Sequence, residues 1–178
     1  MKVINLFGGP GIGKSTMAAG IFYHLKRSGV NCEYVHEEAK EFTWEDRQTT
    51  LKCQPYIFAK QMRNLWRIQD KVDVAITDSP ILLSLIYADD SWPFSFEKYV
   101  IDQFLDFDNV NIVLTRKKEY SPIGRNQTQD QAKDIDENIL YTLKRLNIPY
   151  FWWANGEANE FSEWFLSYFG SSNLPNLT

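Results

Sequence analysis

Gly8-Gly9-Pro10-Gly11-Ile12-Gly13-Lys14-Ser15, continued by Thr16, lies between an apolar run at 2–7 and a helix-forming run at 14–27. The spacing G-x-x-x-x-G-K-S suits one task. Glycines let the backbone turn so tightly that successive N–H groups point inward at an anion. The helix that follows adds the positive end of its dipole. In such a cradle Gly9, Gly11, Ile12 and Gly13 surround the phosphates of a nucleoside triphosphate, and Lys14 reaches the β- and γ-phosphates. The Ser15 hydroxyl ligates Mg²⁺, and Thr16 falls near the α-phosphate. The expected cofactors are therefore ATP and Mg²⁺. A glycine-rich turn with an incidental lysine is the competing reading, and the strand before it and the helix after it argue against that.

Working outward, short apolar runs alternate with amphipathic ones. Strands are expected at 2–7, 31–36, 72–77, 109–115 and 149–154, and helices at 14–27, 38–47, 55–71, 81–87, 95–105, 131–146 and 157–169. Ser95 is a candidate helix cap, and Ile57, Met62, Leu65 and Ile68 form a candidate apolar stripe. Strands that are apolar throughout, separated by helices, imply a parallel sheet covered on both faces. The expected class is α/β, with one domain at 1–170 and a flexible tail at 171–178.

Composition narrows the function. The chain has 178 residues, a net charge of −4 and 15% aromatic residues. Its pI of about 5.2 argues against a general, salt-driven nucleic-acid binder. Basic residues are nonetheless clustered: Lys52, Lys60, Arg63, Arg67 and Lys71 in one stretch, Arg116, Lys117, Lys118 and Arg125 in another. The aromatic runs at 151–153 and 161–169 read as core. Cys32 and Cys53 lack metal-ligand or redox spacing and read as buried free thiols. No run has membrane-spanning length. A soluble protein of a reducing cytoplasm is expected, the host's cytoplasm if the source is a phage, with no membrane partner.

A phosphate cradle alone does not separate hydrolases, switches and kinases. Asp78 ends the third strand, where a carboxylate holds Mg²⁺ directly or through water; a turn or helix-cap role competes. Segment 116–130 is polar, carries Pro122 and Gly124, and reads as a lid. In it Arg125 is placed to neutralise a transferring phosphoryl group, while closure excludes water. Arg116, at the strand end, is expected to touch the phosphates or adenine. No guanine-recognition sequence of the NKxD kind is present.

These features together resemble the P-loop nucleoside and nucleotide kinases, which include thymidylate kinase and the deoxynucleoside kinases. The resemblance implies a three-layer P-loop kinase fold, with a five-stranded parallel sheet, helices on both faces and an Arg-containing lid. In deoxynucleoside kinases a glutamate just after the second strand is the base on the acceptor hydroxyl, and Glu37-Glu38 occupy that place here. Glu37 is the first choice of base and Glu38 is assigned to the acceptor pocket. By the same resemblance Tyr56 or Phe58 stacks on the acceptor base, Gln61 reads its edge and Arg63 or Arg67 binds an acceptor phosphate. Where those kinases carry Asp-Arg-Ser, this chain has Asp78-Ser79-Pro80.

With Glu37-Glu38-Ala39-Lys40, Asp78-Ser79-Pro80 and Gly124-Arg125, the pattern is most similar to bacteriophage kinases of thymidine hypermodification. That implies phosphorylation of the 5-hydroxymethyl group of 5-hydroxymethyluracil in DNA. A free deoxynucleoside or deoxynucleoside monophosphate is the alternative acceptor, and a nucleotide-gated switch or assembly ATPase the alternative class. Similar enzymes often dimerise, so a homodimer stays open.

Overall fold

The computed structural model describes residues 1–89, 91–116, 128–154 and 157–173. Strand β1, Lys2–Phe7, is buried along almost its whole length because it has a neighbour on each side and helices on both faces. Strands β2 (Cys32–Val35), β3 (Val74–Thr77), β4 (Asp108–Leu114) and β5 (Phe151–Trp153) complete a five-stranded sheet in the order β2-β3-β1-β4-β5. Every pairing is parallel, with Lys2 opposite Val74 on one side and Asp108 on the other. All strand ends that matter therefore emerge on one edge.

Side-chain alternation divides the core into two layers. Ile4, Leu6, Ile76 and Ile112 face helices α1 (Lys14–Arg27) and α8 (Ala158–Asn173), which contribute Ile21, Leu25, Phe161 and Phe165. Val3, Phe7, Ala75 and Val113 face the opposite layer, built from α4 (Gln54–Trp66), α5 (Leu83–Tyr87), α6 (Phe94–Leu105) and α7 (Gln129–Arg145). The three-layer α/β architecture expected from the sequence is the one observed. Helix α1 lies so close to α8 that a Cβ on Gly20 would meet the Ala158 Cβ at 2.5 Å.

Several local expectations change. The helix expected at 38–47 is only α2, Ala39–Trp44, which ends at Asp46 with a positive φ of 54°. A separate short helix, α3 (Gln48–Lys52), precedes α4. The chain turns away after Trp66, five residues earlier than the apolar stripe suggests, although Ile68 still packs on the core. Pro93, not Ser95, stands at the N-cap of α6. Thr128 starts α7 with a capping box, its hydroxyl accepting from Gln131 N while the Gln131 side chain accepts from Thr128 N.

The aromatic runs split in two. Phe161 and Phe165 are fully buried, whereas Trp152 is 54% and Tyr168 60% exposed, because β5 is an edge strand with little to cover its far side. Cys32 is buried but Cys53 only half so. Helix α8 runs to Asn173, into the segment expected to be tail; residues 174–178 lie outside the described ones. Among the described residues no helix is long and apolar enough to cross a membrane.

Candidate active site

Four chain segments leave the same edge of the sheet: the loop after β1, Glu37 after β2, Asp78 after β3 and Arg116 after β4. In open α/β sheets this carboxyl edge is where ligands bind. The glycine loop turns into α1 through Gly13, whose φ of +106° would strain any other residue although nothing lies within 4 Å of its missing Cβ. Gly9 is required for a different reason. A Cβ there would sit 2.5 Å from the Ala132 carbonyl oxygen and 2.9 Å from Asp136 Oδ1, on the approaching helix α7. Ile12 and Gly8 line a recess of about 140 Å³ beside Val113, Arg116, Asp136 and Trp152. Gly11 also has a positive φ, 81°, and Thr16 is exposed at the start of α1.

Lys14 Nζ folds back over the loop and donates to the carbonyls of Gly8 at 2.7 Å and Gly9 at 3.1 Å. Burial pushes its pKa down. The charges of Glu37, Asp78 and Asp136 oppose that shift, with Glu37 the strongest of the three, and Arg116 adds to it. The ammonium group therefore sits at the focus of three carboxylates drawn from three different elements.

Asp78 is 2% exposed. Its Oδ2 accepts from the Tyr34 hydroxyl at 2.9 Å, while its buried Oδ1 has no hydrogen-bond partner among the described residues. A buried carboxylate oxygen left unpaired is costly unless a cation or water meets it. Burial, together with the charge of Asp78 and the hydrogen bond to it, pushes the Tyr34 phenol well above its ordinary pKa, so it stays neutral. Among the described residues no three carboxylate, imidazole or thiol groups converge on a metal-sized site. The donors available to Mg²⁺ are thus Ser15 Oγ and Asp78, a sparse set of the kind that Mg²⁺ completes with phosphate oxygens and water.

The two glutamates after β2 part company. Glu37 is half-buried and faces Lys14 electrostatically. Glu38 turns to α4, where it accepts from Asn64 Nδ2 and pairs with Lys60 Nζ at 3.0 Å. Burial pushes the Glu38 carboxyl up, but Asn64 and Lys60 together outweigh it and hold the pKa below its ordinary value.

Gln61 is buried and its amide is taken up internally. Oε1 accepts from Glu38 N at 3.3 Å, and Nε2 donates to His36 O at 3.4 Å and to Thr77 Oγ1 at 3.3 Å. It ties α4 to the ends of β2 and β3. Tyr56 and Arg63 lie on the exposed side of α4, one on each side of Lys60 in sequence. The Lys60 ammonium sits 4.8 Å from the Phe42 ring and 5.9 Å from the Tyr56 ring. Phe58 belongs to the core, edge-on to Phe96 and Tyr99.

Arg116 is occupied within the protein. Its Nε and Nη2 donate to Asp136 Oδ2 at 3.0 and 2.8 Å, and Nη1 donates to Pro10 O at 2.9 Å. The other Asp136 oxygen accepts from Gly9 N. Arg125 and the rest of 117–127 lie outside the described residues.

Sequence reading missed Asp136 and Tyr34. Asp136 had a legible signal: with Ala132, Ile139 and Leu143 it falls on the buried stripe of α7, where a carboxylate demands a partner. Tyr34 had none, since an aromatic residue in a strand is ordinary.

The sequence matches the AAA domain family over residues 3–160. No curated protein matches it. Among solved structures it is similar to the NadR protein in complex with NAD and AMP-PNP, at 13% identity and a TM-score of 0.68, over 99% of this chain and 51% of that one. It is also similar to deoxyadenosine kinase from M. mycoides with the products dCMP and a flexible dCDP bound, at 19% identity and a TM-score of 0.57, over 96% and 100% of the two chains. The chain thus spans about half the length of the NadR chain. At these identities the likeness establishes the fold, a P-loop kinase-like α/β fold.

Proposed function

The chain belongs to the AAA domain family, and from that premise we propose that it transfers the γ-phosphoryl group of ATP to a hydroxyl of a nucleoside or nucleotide unit. The observation that carries the reading is the grouping of Lys14, Glu37 and Asp78 at one edge of the sheet, with Glu37 the strongest charge acting on Lys14. A carboxylate at this point can take a proton from an acceptor hydroxyl or from water, and the kinase reading assigns it the hydroxyl. Two comparison structures hold nucleotides, NAD and AMP-PNP in the NadR structure and dCMP and dCDP in the deoxyadenosine kinase structure, which supports a nucleotide-handling site here.

In this reading the glycine-loop amides and Lys14 bind the β- and γ-phosphates. The acceptor oxygen attacks the γ-phosphorus, its proton passes to Glu37, and the bond to the β-phosphate oxygen breaks to release ADP. Ser15 and Asp78 would hold Mg²⁺, which would supply charge neutralisation at the phosphates. Arg125 supplies further positive charge from the segment after β4. Glu38, Lys60 and Gln61 keep the β2 end rigid, so that Glu37 is presented in one position.

For the acceptor we propose the 5-hydroxymethyl group of 5-hydroxymethyluracil in DNA. The sequence resemblance supports it, as does the exposed side of α4, which carries Tyr56 and Arg63, with exposed Arg67 just past the helix end. A base in a duplex would have to leave the stack to reach the γ-phosphate, and aromatic and basic side chains are suited to receiving it. The test is incubation with γ-labelled ATP and, in separate reactions, hydroxymethyluracil-containing DNA, deoxynucleosides and deoxynucleoside monophosphates. Label on DNA supports the full proposal. Label on a free nucleoside or nucleotide alone moves the acceptor, and label only in inorganic phosphate overturns the kinase reading in favour of a switch ATPase.

A further inference from the structure

Asp78, one of the two side chains suited to Mg²⁺, is held by a residue outside the phosphate loop. A phenol has one proton to give, and a carboxylate can only accept. Tyr34 therefore donates to Asp78 Oδ2, at 2.9 Å. That bond occupies one Asp78 oxygen and leaves the other, buried Oδ1, without a partner among the described residues.

We propose that Tyr34 is a positioning residue for the divalent ion of the nucleotide complex, fixing the Asp78 carboxylate and presenting a single Asp78 oxygen to the ion or its water. The inference rests on the phosphate-loop reading above and extends it to a residue outside the loop motif. Outer partners of this kind are as important as the ligands they orient, and their removal characteristically costs 10–100-fold in metal affinity. Mg²⁺ tolerates little departure from octahedral geometry, so it should feel the loss of orientation strongly. A phenol that merely filled space would leave metal affinity alone.

The test is Tyr34→Phe, with AMP-PNP as the probe, measured by calorimetric titration in EDTA and again across a Mg²⁺ series. Tyr34→Phe should raise the half-saturating Mg²⁺ concentration roughly tenfold or more while leaving AMP-PNP affinity in EDTA within about twofold of wild type. A Mg²⁺ series that superimposes on wild type overturns the positioning role alone. Absence of any Mg²⁺ effect in wild type overturns the phosphate-loop reading with it. As a measurement on the intact hydroxyl, 3-fluorotyrosine placed at position 34 should show a shifted ¹⁹F resonance when Mg²⁺ joins the AMP-PNP complex. An unmoved resonance counts against the positioning role even if Tyr34→Phe fails to fold.

Discussion

Arg116 grips Asp136 through two nitrogens, at 3.0 and 2.8 Å, and so couples the end of β4 to the middle of α7 directly behind the glycine loop. Because Asp136 also accepts from Gly9 N, and Arg116 also donates to Pro10 O, the pair holds the glycine loop at two neighbouring residues.

Asp136→Ala should cost about 2–3 kcal/mol in urea denaturation, because it strands a mostly buried guanidinium and a backbone N–H. It should also raise the ATP KM by loosening the loop. Arg116→Ala should resemble it, and the double variant should lose much less than the sum of the two. Additive losses would mean that the two side chains act separately.

Glu37→Gln should lower kcat by about 10²-fold or more, since the amide cannot take the acceptor proton. AMP-PNP affinity should stay within a few-fold of wild type in equilibrium binding. Full turnover in this variant would move the base elsewhere.

Glu38→Gln should act on stability and its pH dependence. The Glu38 carboxyl has a depressed pKa in the folded protein, so its contribution exists above its ordinary pKa and is lost as pH falls through the folded value. The Lys60 ammonium is raised by its bond to Glu38, so its contribution exists below its ordinary pKa and is lost as pH rises through the folded value. Thermal melts should therefore separate variant from wild type most at neutral pH, and the difference should shrink as pH falls below the ordinary glutamate value of about 4.3. A constant difference in Tm across that range would show that the pair does not titrate with folding.

Gly20→Ala offers a packing test. In an open helix alanine gains about 1 kcal/mol over glycine. Here the new Cβ would lie 2.5 Å from Ala158 Cβ, and overpacking costs about 1–3 kcal/mol, so net destabilisation is expected. Ala158→Gly in the same chain should restore most of the loss, as read by Tm. Stabilisation by Gly20→Ala alone would mean that α1 and α8 separate easily.

Some of the site was legible because it is local in the chain. The glycine loop, Lys14 and Ser15 fall within eight consecutive residues, and their geometry follows from φ preferences and one strand-to-helix turn. Asp78 was legible because an apolar strand ends at it. Helix ends were less so. The break at Asp46 and the turn after Trp66 follow from tertiary packing that overrides a continuous helical pattern. The exposure of Trp152 likewise depends on which strand forms the sheet edge, a matter of strand order that aromatic content does not encode.

By itself, then, the sequence determined the alternation of strands and helices, the parallel sheet and the phosphate cradle, all products of short-range periodicity and backbone sterics. Tertiary structure alone decided how the neighbouring glutamates divide, with Glu37 toward Lys14 and Glu38 toward Asn64 and Lys60. It also decided that Asp136 meets Gly9 across 127 positions and that Tyr34 meets Asp78 across 44. Such pairs form because a buried polar group must find a partner, and which partner it finds depends on strand order and helix packing rather than on its neighbours in the chain.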